Sequence, residues 1–187
     1  MGIASNANKK RIIEIISESF KDNQSINYIV KQDQKRLERI KKLVEYSFFQ
    51  GSEFGQLFIS DDENAACILL FSDQKKTTFK SILWDIKLVA QVIGIQKVRA
   101  ALRRESILKK NYPKTPYVHL WYIGVDPLYQ KRGIGSKLLQ EVITYCGDKP
   151  IYLETSVVSN LGWYKKFGFK IIKTLNLGYT LHLLKKD

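Results

Sequence analysis

The chain is short of several things, and each shortage excludes something. Cysteine occurs twice in 187 residues, at Cys67 and Cys146. Two thiols cannot make a disulfide framework, and each lies in an apolar run, so both are expected as reduced, buried side chains. Nowhere do roughly 18 apolar residues run together, so no membrane span is expected. Histidine also occurs only twice, and no His/Cys cluster has metal-ligand spacing, so no metal site is expected. The opening "MGIASNANKK" lacks the apolar run of a signal peptide, which makes a cytoplasmic protein the default; residues 1–8 are expected to be disordered or tag-like. Negative charge is scarce too: 18 Asp and Glu stand against 31 Lys and Arg, a formal charge of +13. That balance suits an anionic partner, whether nucleic acid, a membrane surface or a phosphorylated small molecule. The cations spread over several helical segments, as solvated faces do, and this argues against nucleic acid.

What is present suits one domain over residues 1–187. Ile12, Ile13, Ile15, Ile16 and Phe20 predict a helix with a wide buried face, broken by "KDNQSIN". Leu37, Ile40, Val44 and Phe48 predict a second helix over about 34–49, bracketed by Gly51 and Gly55. "GQLFIS" and "AACILLF", separated by the acidic turn "DDEN", read as a hairpin. Residues 79–111 form a helical insert, interrupted at Gly94 and ended by Pro113 and Pro116. "YVHLWYIGV" is a buried central strand, followed by a helix from Gly133 to Cys146. A strand "IYLETS", a short helix from Asn160 to Phe167 and strands "KIIKTL" and "YTLHLL" complete the chain. The order predicts an α/β (α+β) mixed sheet, with antiparallel and parallel pairs, flanked by helices.

The most informative stretch is "VDPLYQKRGIGSKLL". A strand stops, two glycines follow with Lys131, Arg132 and Lys137 nearby, and a helix begins. The first N–H groups of such a helix are unpaired, its dipole is positive at that end, and glycine permits close approach. Together these make a phosphate cradle. It is neither of two better-known cradles. The dinucleotide fingerprint needs a third glycine where Leu138 stands, and the P-loop spacing around Lys137 is absent.

Gln130-x-x-Gly133-x-Gly135 after a strand ending "IGV" resembles the acetyl-CoA signature of the GNAT superfamily of N-acetyltransferases. "LETSVVSNLGWYKKFGF" resembles that superfamily's later motif, and its wording is especially like that of the branch containing puromycin N-acetyltransferase. The resemblance covers residues 117–184; the N-terminal half fits by element order, with the usual first strand short or missing.

The resemblance implies a GNAT-type fold and an acetyl-CoA cofactor. Main-chain groups of Ile123, Gly124 and Val125 would pair with the pantetheine, and N–H groups from Gln130, Lys131, Arg132, Gly133, Ile134, Gly135 and Ser136 would take the pyrophosphate. Asn160 would bond the cofactor arm, with an N-cap role as its ordinary alternative. It makes Tyr164 the general acid. His119, on the strand where some members carry a glutamate base, and Glu154, on the neighbouring strand, are the rival bases. Strand alternation would place His119, Trp121 and Ile123 on one face. The implied acceptor is a primary amine, foremost of a small molecule. Protein or peptide acetylation, and a silent acyl-CoA- or nucleic-acid-binding module, are the alternatives, and a homodimer is left open.

Overall fold

The computed structural model describes residues 1–187. Fourteen elements build it: β1 (Gly2–Ile3), α1 (Lys9–Phe20), α2 (Gln24–Ile29), α3 (Arg36–Phe54), β2 (Gly55–Ile59), β3 (Ala65–Phe71), α4 (Phe79–Leu88), α5 (Val98–Asn111), β4 (Val118–Val125), α6 (Ile134–Cys146), β5 (Ile151–Thr155), α7 (Ser159–Lys166), β6 (Lys170–Asn176) and β7 (Thr180–Lys186). The strands form one mixed sheet in the order β1-β2-β3-β4-β5-β7-β6, in which β4 and β5 are the parallel pair. This is the mixed, helix-flanked sheet that the element order predicts. No helix is long and apolar enough to cross a membrane.

Both faces of the sheet are covered. On one, Ile12 and Ile16 of α1, Leu43 and Phe48 of α3, and Val92 and Ile93 of the insert pack on Leu57, Ile68 and Tyr122. On the other, Leu138 and Val142 of α6 and Tyr164 of α7 pack on Cys67, Leu120 and Leu153. Burial on both sides is why "AACILLF" shows an unbroken apolar run instead of alternation. Both cysteines are free and buried, as expected.

The structure departs from the sequence reading in several places. Residues 1–8 were expected without structure, yet Gly2 and Ile3 pair with Ile59 and Phe58 of β2. The Met1 ammonium lies 2.9 Å from Glu141. A two-residue strand held by backbone bonds and a terminal charge carries no periodicity to detect. The segment "KDNQSIN" contains α2, capped by the Asn23 carboxamide, which accepts from the Ser25 and Ile26 N–H groups. Helix α3 runs through Gly51. A Cβ there would stand 2.7 Å from Leu57 and 2.8 Å from Ile68, so this glycine serves close packing of the hairpin and does not stop the helix. In the insert, the apolar period does predict a helix but not its buried side. Phe79 is 79% and Ile86 59% exposed, while Trp84 anchors α4 by stacking on Phe49 at 5.0 Å.

One irregularity matters most. Ile68 faces Tyr122 and Leu69 faces Leu120, leaving Trp121 as an extra residue in β4. Such a bulge reverses the alternation beyond it. Val118, Leu120, Ile123 and Val125 consequently pack towards α6 and α7, and Trp121 and Tyr122 towards α1 and α3. The expectation that His119, Trp121 and Ile123 share a face therefore fails at Ile123.

Candidate active site

Strands β4 and β5 pair only at Val118–Ile151 and His119–Tyr152. Beyond that they diverge, and a cleft of about 610 Å³ opens between them. Its walls include Ile123, Gly124 and Val125 from β4, Glu154 and Thr155 from β5, and Gln130, Lys131, Gly133, Ile134, Gly135 and Ser136 from the turn into α6. Asn160 and Tyr164 of α7 also line it. The expected cofactor residues are thus brought together, Arg132 excepted. Its guanidinium folds over the Tyr129 ring at 5.2 Å and donates to the Leu128 carbonyl.

The turn before α6 is held firmly. Arg11 of α1 donates to Asp126 at 2.8 Å and to the Glu63 carbonyl at 2.8 Å. Asp126 in turn accepts the Leu128 N–H. The Val125 carbonyl accepts from Ser19 Oγ at 2.8 Å and from Gln130 Nε2 at 3.1 Å. The single Ser19 hydroxyl proton is shared between this oxygen and the Ile15 carbonyl, 2.7 Å away, so the Gln130 carboxamide is the donor committed to Val125. Gln130 acts here as the strap that pins the turn to the strand. Arg11 and Ser19 escaped sequence reasoning because both sit far away in the chain on an ordinary amphipathic helix.

Gly133 takes φ 82°, a left-handed conformation that an L side chain resists. It lets the chain turn into α6 with no side-chain cap. The first intrahelical bond runs from the Lys137 N–H to the Gly133 carbonyl. The N–H groups of Ile134, Gly135 and Ser136 consequently remain available at the positive end of the helix dipole. A Cβ on Gly135 would lie 2.9 Å from Val125 Cγ2, so glycine is also what lets α6 close on β4. Trp163 Nε1 donates to Ser136 Oγ at 2.9 Å and locks α7 against this helix end. These features fit a diphosphate: donors face the cleft, and no capping side chain competes for them.

Asn160 is the second residue of α7 and does not cap it. Its carboxamide makes no hydrogen bond within the chain and faces the cleft with both donor and acceptor free. Tyr164 is 7% exposed, packed edge-on against Phe169 at 5.6 Å. No backbone group binds its hydroxyl. Burial, with a smaller contribution from the Cys67 thiol, pushes its pKa well above the usual phenol value.

Across the cleft, His119 Nε2 and Glu154 Oε2 are 2.8 Å apart. Glu154 is at the cleft wall, and His119 stands behind it. Burial alone would raise the pKa of Glu154. The neighbouring His119 and Arg104 side chains outweigh that, with Tyr112 assisting, and hold the carboxyl down at about 2. Arg104 comes from α5, and the Tyr112 hydroxyl is buried beside Glu154 with no partner in hydrogen-bonding geometry. Neither was singled out as a site residue from sequence. Arg104 read as part of a basic helix face, and Tyr112 as an aromatic of the insert.

The chain matches the model of the acetyltransferase (GNAT) family over residues 28–169. It is 42% identical over 50 residues to the N-alpha-acetyltransferase RimI of Mycobacterium tuberculosis, a match spanning 26% of this chain and 32% of that relative. Its fold superimposes on a histone acetyltransferase HPA2-related acetyltransferase from Corynebacterium glutamicum with a TM-score of 0.73. That likeness holds at 17% identity and covers 100% of this chain and 94% of the other. The polyamine N-acetyltransferase of Drosophila melanogaster shares the fold with a TM-score of 0.59 at 10% identity, over 98% and 96% of the two chains. With a match over most of its length, the chain belongs to the acetyltransferase (GNAT) family.

Proposed function

We propose that this chain transfers an acetyl group from acetyl-CoA to a primary amine of a small molecule, in the cleft between β4 and β5. One observation carries the reading. The cleft joins an uncapped helix end, a free Asn160 and a buried Tyr164 to an ionised Glu154 backed by His119. The first set suits a diphosphate-bearing thioester and the second an ammonium ion.

Acetyl-CoA supplies the activated acetyl group as a thioester. The chain must handle two protons. A lysine-like ammonium has a pKa near ~10.4, so freeing its nitrogen at pH 7 costs about 4.6 kcal/mol. Glu154 at the wall receives the ammonium as a counter-ion. With a carboxyl held at about 2 it is a poor resting place for the proton, which passes to His119 directly behind. At the other wall, the elevated pKa of Tyr164 keeps its hydroxyl protonated, and it donates to the sulfur as negative charge develops there.

A small acceptor is favoured over an extended peptide. The acceptor end is walled by Phe20, Asp22, Asn23 and Trp121. Arg104 of the insert bonds to Ser25, next to that wall, and to Tyr179 of the β6–β7 turn. These links restrict the length of chain that could lie there. The wording "LETS…WYKKFGF" supports an acceptor of the kind used by the puromycin N-acetyltransferase branch. An acetyl-CoA consumption screen over amines, polyamines, aminonucleosides and peptides tests this. Turnover with small amines is expected, and turnover confined to peptides would overturn the preference.

A further inference from the structure

Helix α2 has six residues, too few to hold their shape by backbone bonds alone, and it buries a single side chain, Ile26. Yet it stands at the cleft. Its N-cap, Asn23, lines the acceptor end. The Asn23 carboxamide oxygen accepts the Ser25 and Ile26 N–H groups and also the Ser156 hydroxyl at 3.4 Å, which links α2 to the chain just beyond β5. The insert holds this short helix at both ends. At its C-terminal end the Lys97 ammonium donates to the carbonyls of Asn27, Tyr28 and Val30 at 3.2, 3.0 and 2.9 Å. An ammonium has three protons, and all three are placed on backbone carbonyls. Carbonyls at a helix end lack intrahelical donors and lie at the negative end of the dipole, so a cation suits them. At the N-terminal end, Arg104 of α5 donates from Nη2 to Ser25 Oγ at 2.8 Å and from Nε to the Tyr179 hydroxyl at 3.0 Å. Tyr179 in turn donates to Ser25 Oγ at 3.1 Å, and its ring packs on Tyr28 at 5.2 Å.

We propose that the insert is an acceptor-selecting clamp: Lys97 and Arg104, as positioning residues, grip α2 at its two ends and through Asn23 fix the width of the acceptor end of the cleft. A gripped α2 admits small amines. A released α2 moves away from Ser156 and admits bulkier ones. The inference rests on the reading of that end as the acceptor's. Neither Lys97 nor Arg104 lines the cleft, and the diphosphate cradle is built from the turn into α6 and from α7. The clamp therefore bears on the acceptor and leaves acetyl-CoA binding alone.

Lys97→Met keeps the length of the side chain and loses its three bonds. Amide hydrogen exchange should show α2 opening about 10-fold faster, the scale of a lost hydrogen bond to a charged group, with α6 and α7 unchanged. In the same variant the KM of the best small amine from the screen should rise about 10-fold, while kcat and the acetyl-CoA affinity measured by calorimetry stay within about 2-fold. Turnover of a short peptide's N-terminal amine, relative to that small amine, should increase. Lys97→Arg still donates to carbonyls and should restore most of the KM. Arg104→Met should act in the same direction from the other end of α2. A folded Lys97→Met whose α2 exchanges as before overturns the clamp. A loosened α2 with unchanged acceptor KM and unchanged peptide preference overturns its role in selection. So does a rise in KM matched by an equal loss of acetyl-CoA affinity, the mark of general destabilisation. A screen that finds no amine overturns the transfer reading and the selection role with it, whereas the grip on α2 stands or falls on hydrogen exchange, which needs neither acceptor nor acetyl-CoA.

Discussion

Tyr164 illustrates how burial tunes a single group. A free phenol near ~10 donating to a thiol near ~8.5 is mismatched by about 2 kcal/mol. In the cleft the mismatch is larger, because burial raises Tyr164 further. Its hydroxyl is therefore best suited to stabilising the departing sulfur through a hydrogen bond as charge builds. Tyr164→Phe should lower kcat by roughly 10²-fold, the lower end of the general-acid range, and leave acetyl-CoA affinity within a few-fold. Pre-steady-state turnover beside calorimetry separates the two. An unchanged kcat where chemistry limits the rate would make Tyr164 a packing residue. Glu154 gives a second test through stability. Its carboxyl is held at about 2 against an ordinary value of 4.5, so the ionised form stabilises the fold above the ordinary value. That contribution is lost as pH falls from 4.5 towards about 2. Urea titrations across this window should show stability falling with pH, and Glu154→Gln should flatten the slope. A slope identical in both proteins would mean that Glu154 is not held down in the fold.

At the scale of elements, α4 is a helix whose periodic apolar side faces outward. Ile82, Leu83 and Ile86 are exposed, while Trp84 carries the packing against Phe49. Ile86→Gln should therefore change stability by no more than about 0.5 kcal/mol, whereas Trp84→Ala should cost about 2 kcal/mol or more. Equal losses from the two in thermal melts would mean that the Ile86 side is covered in solution. The same helix shows what was legible in the sequence. Its existence was, because a 3.6-residue period is local. Which side it buries was not, because that depends on where α3 lies. Likewise the phosphate turn could be read from Gly133 and Gly135, whose spacing is local. The bulge at Trp121 could not, since an extra residue in a strand appears only against its partner β3. That bulge decided which face His119 and Ile123 occupy. Arg104 was hidden for a related reason: nothing near it in sequence distinguishes it from Arg99 or Arg103, and only the fold brings Ser25 and Tyr179 to it.

The whole molecule carries +13, and the ligand proposed for its cleft is a polyanion. Charges spread over a surface contribute little to any one contact, but their summed field raises the encounter rate with an oppositely charged ligand. That field is screened by salt over about 10 Å at 0.1 M. The association rate of acetyl-CoA, followed by tryptophan fluorescence, should fall several-fold between about 20 mM and about 300 mM sodium chloride. Trp121 and Trp163 both line the cleft and supply the signal. S-acetyl-pantetheine carries the same thioester and arm without phosphates, so its association should be nearly indifferent to salt. The comparison separates steering from a salt effect on the protein itself. A parallel decline for both ligands would assign the effect to the chain's own conformation. Salt-independent binding of acetyl-CoA would mean that the surface cations are solvated locally and that capture depends on the α6 helix end alone. With steering confirmed, the excess of lysine and arginine has a kinetic role at the cleft, with no need for a nucleic-acid partner to account for it.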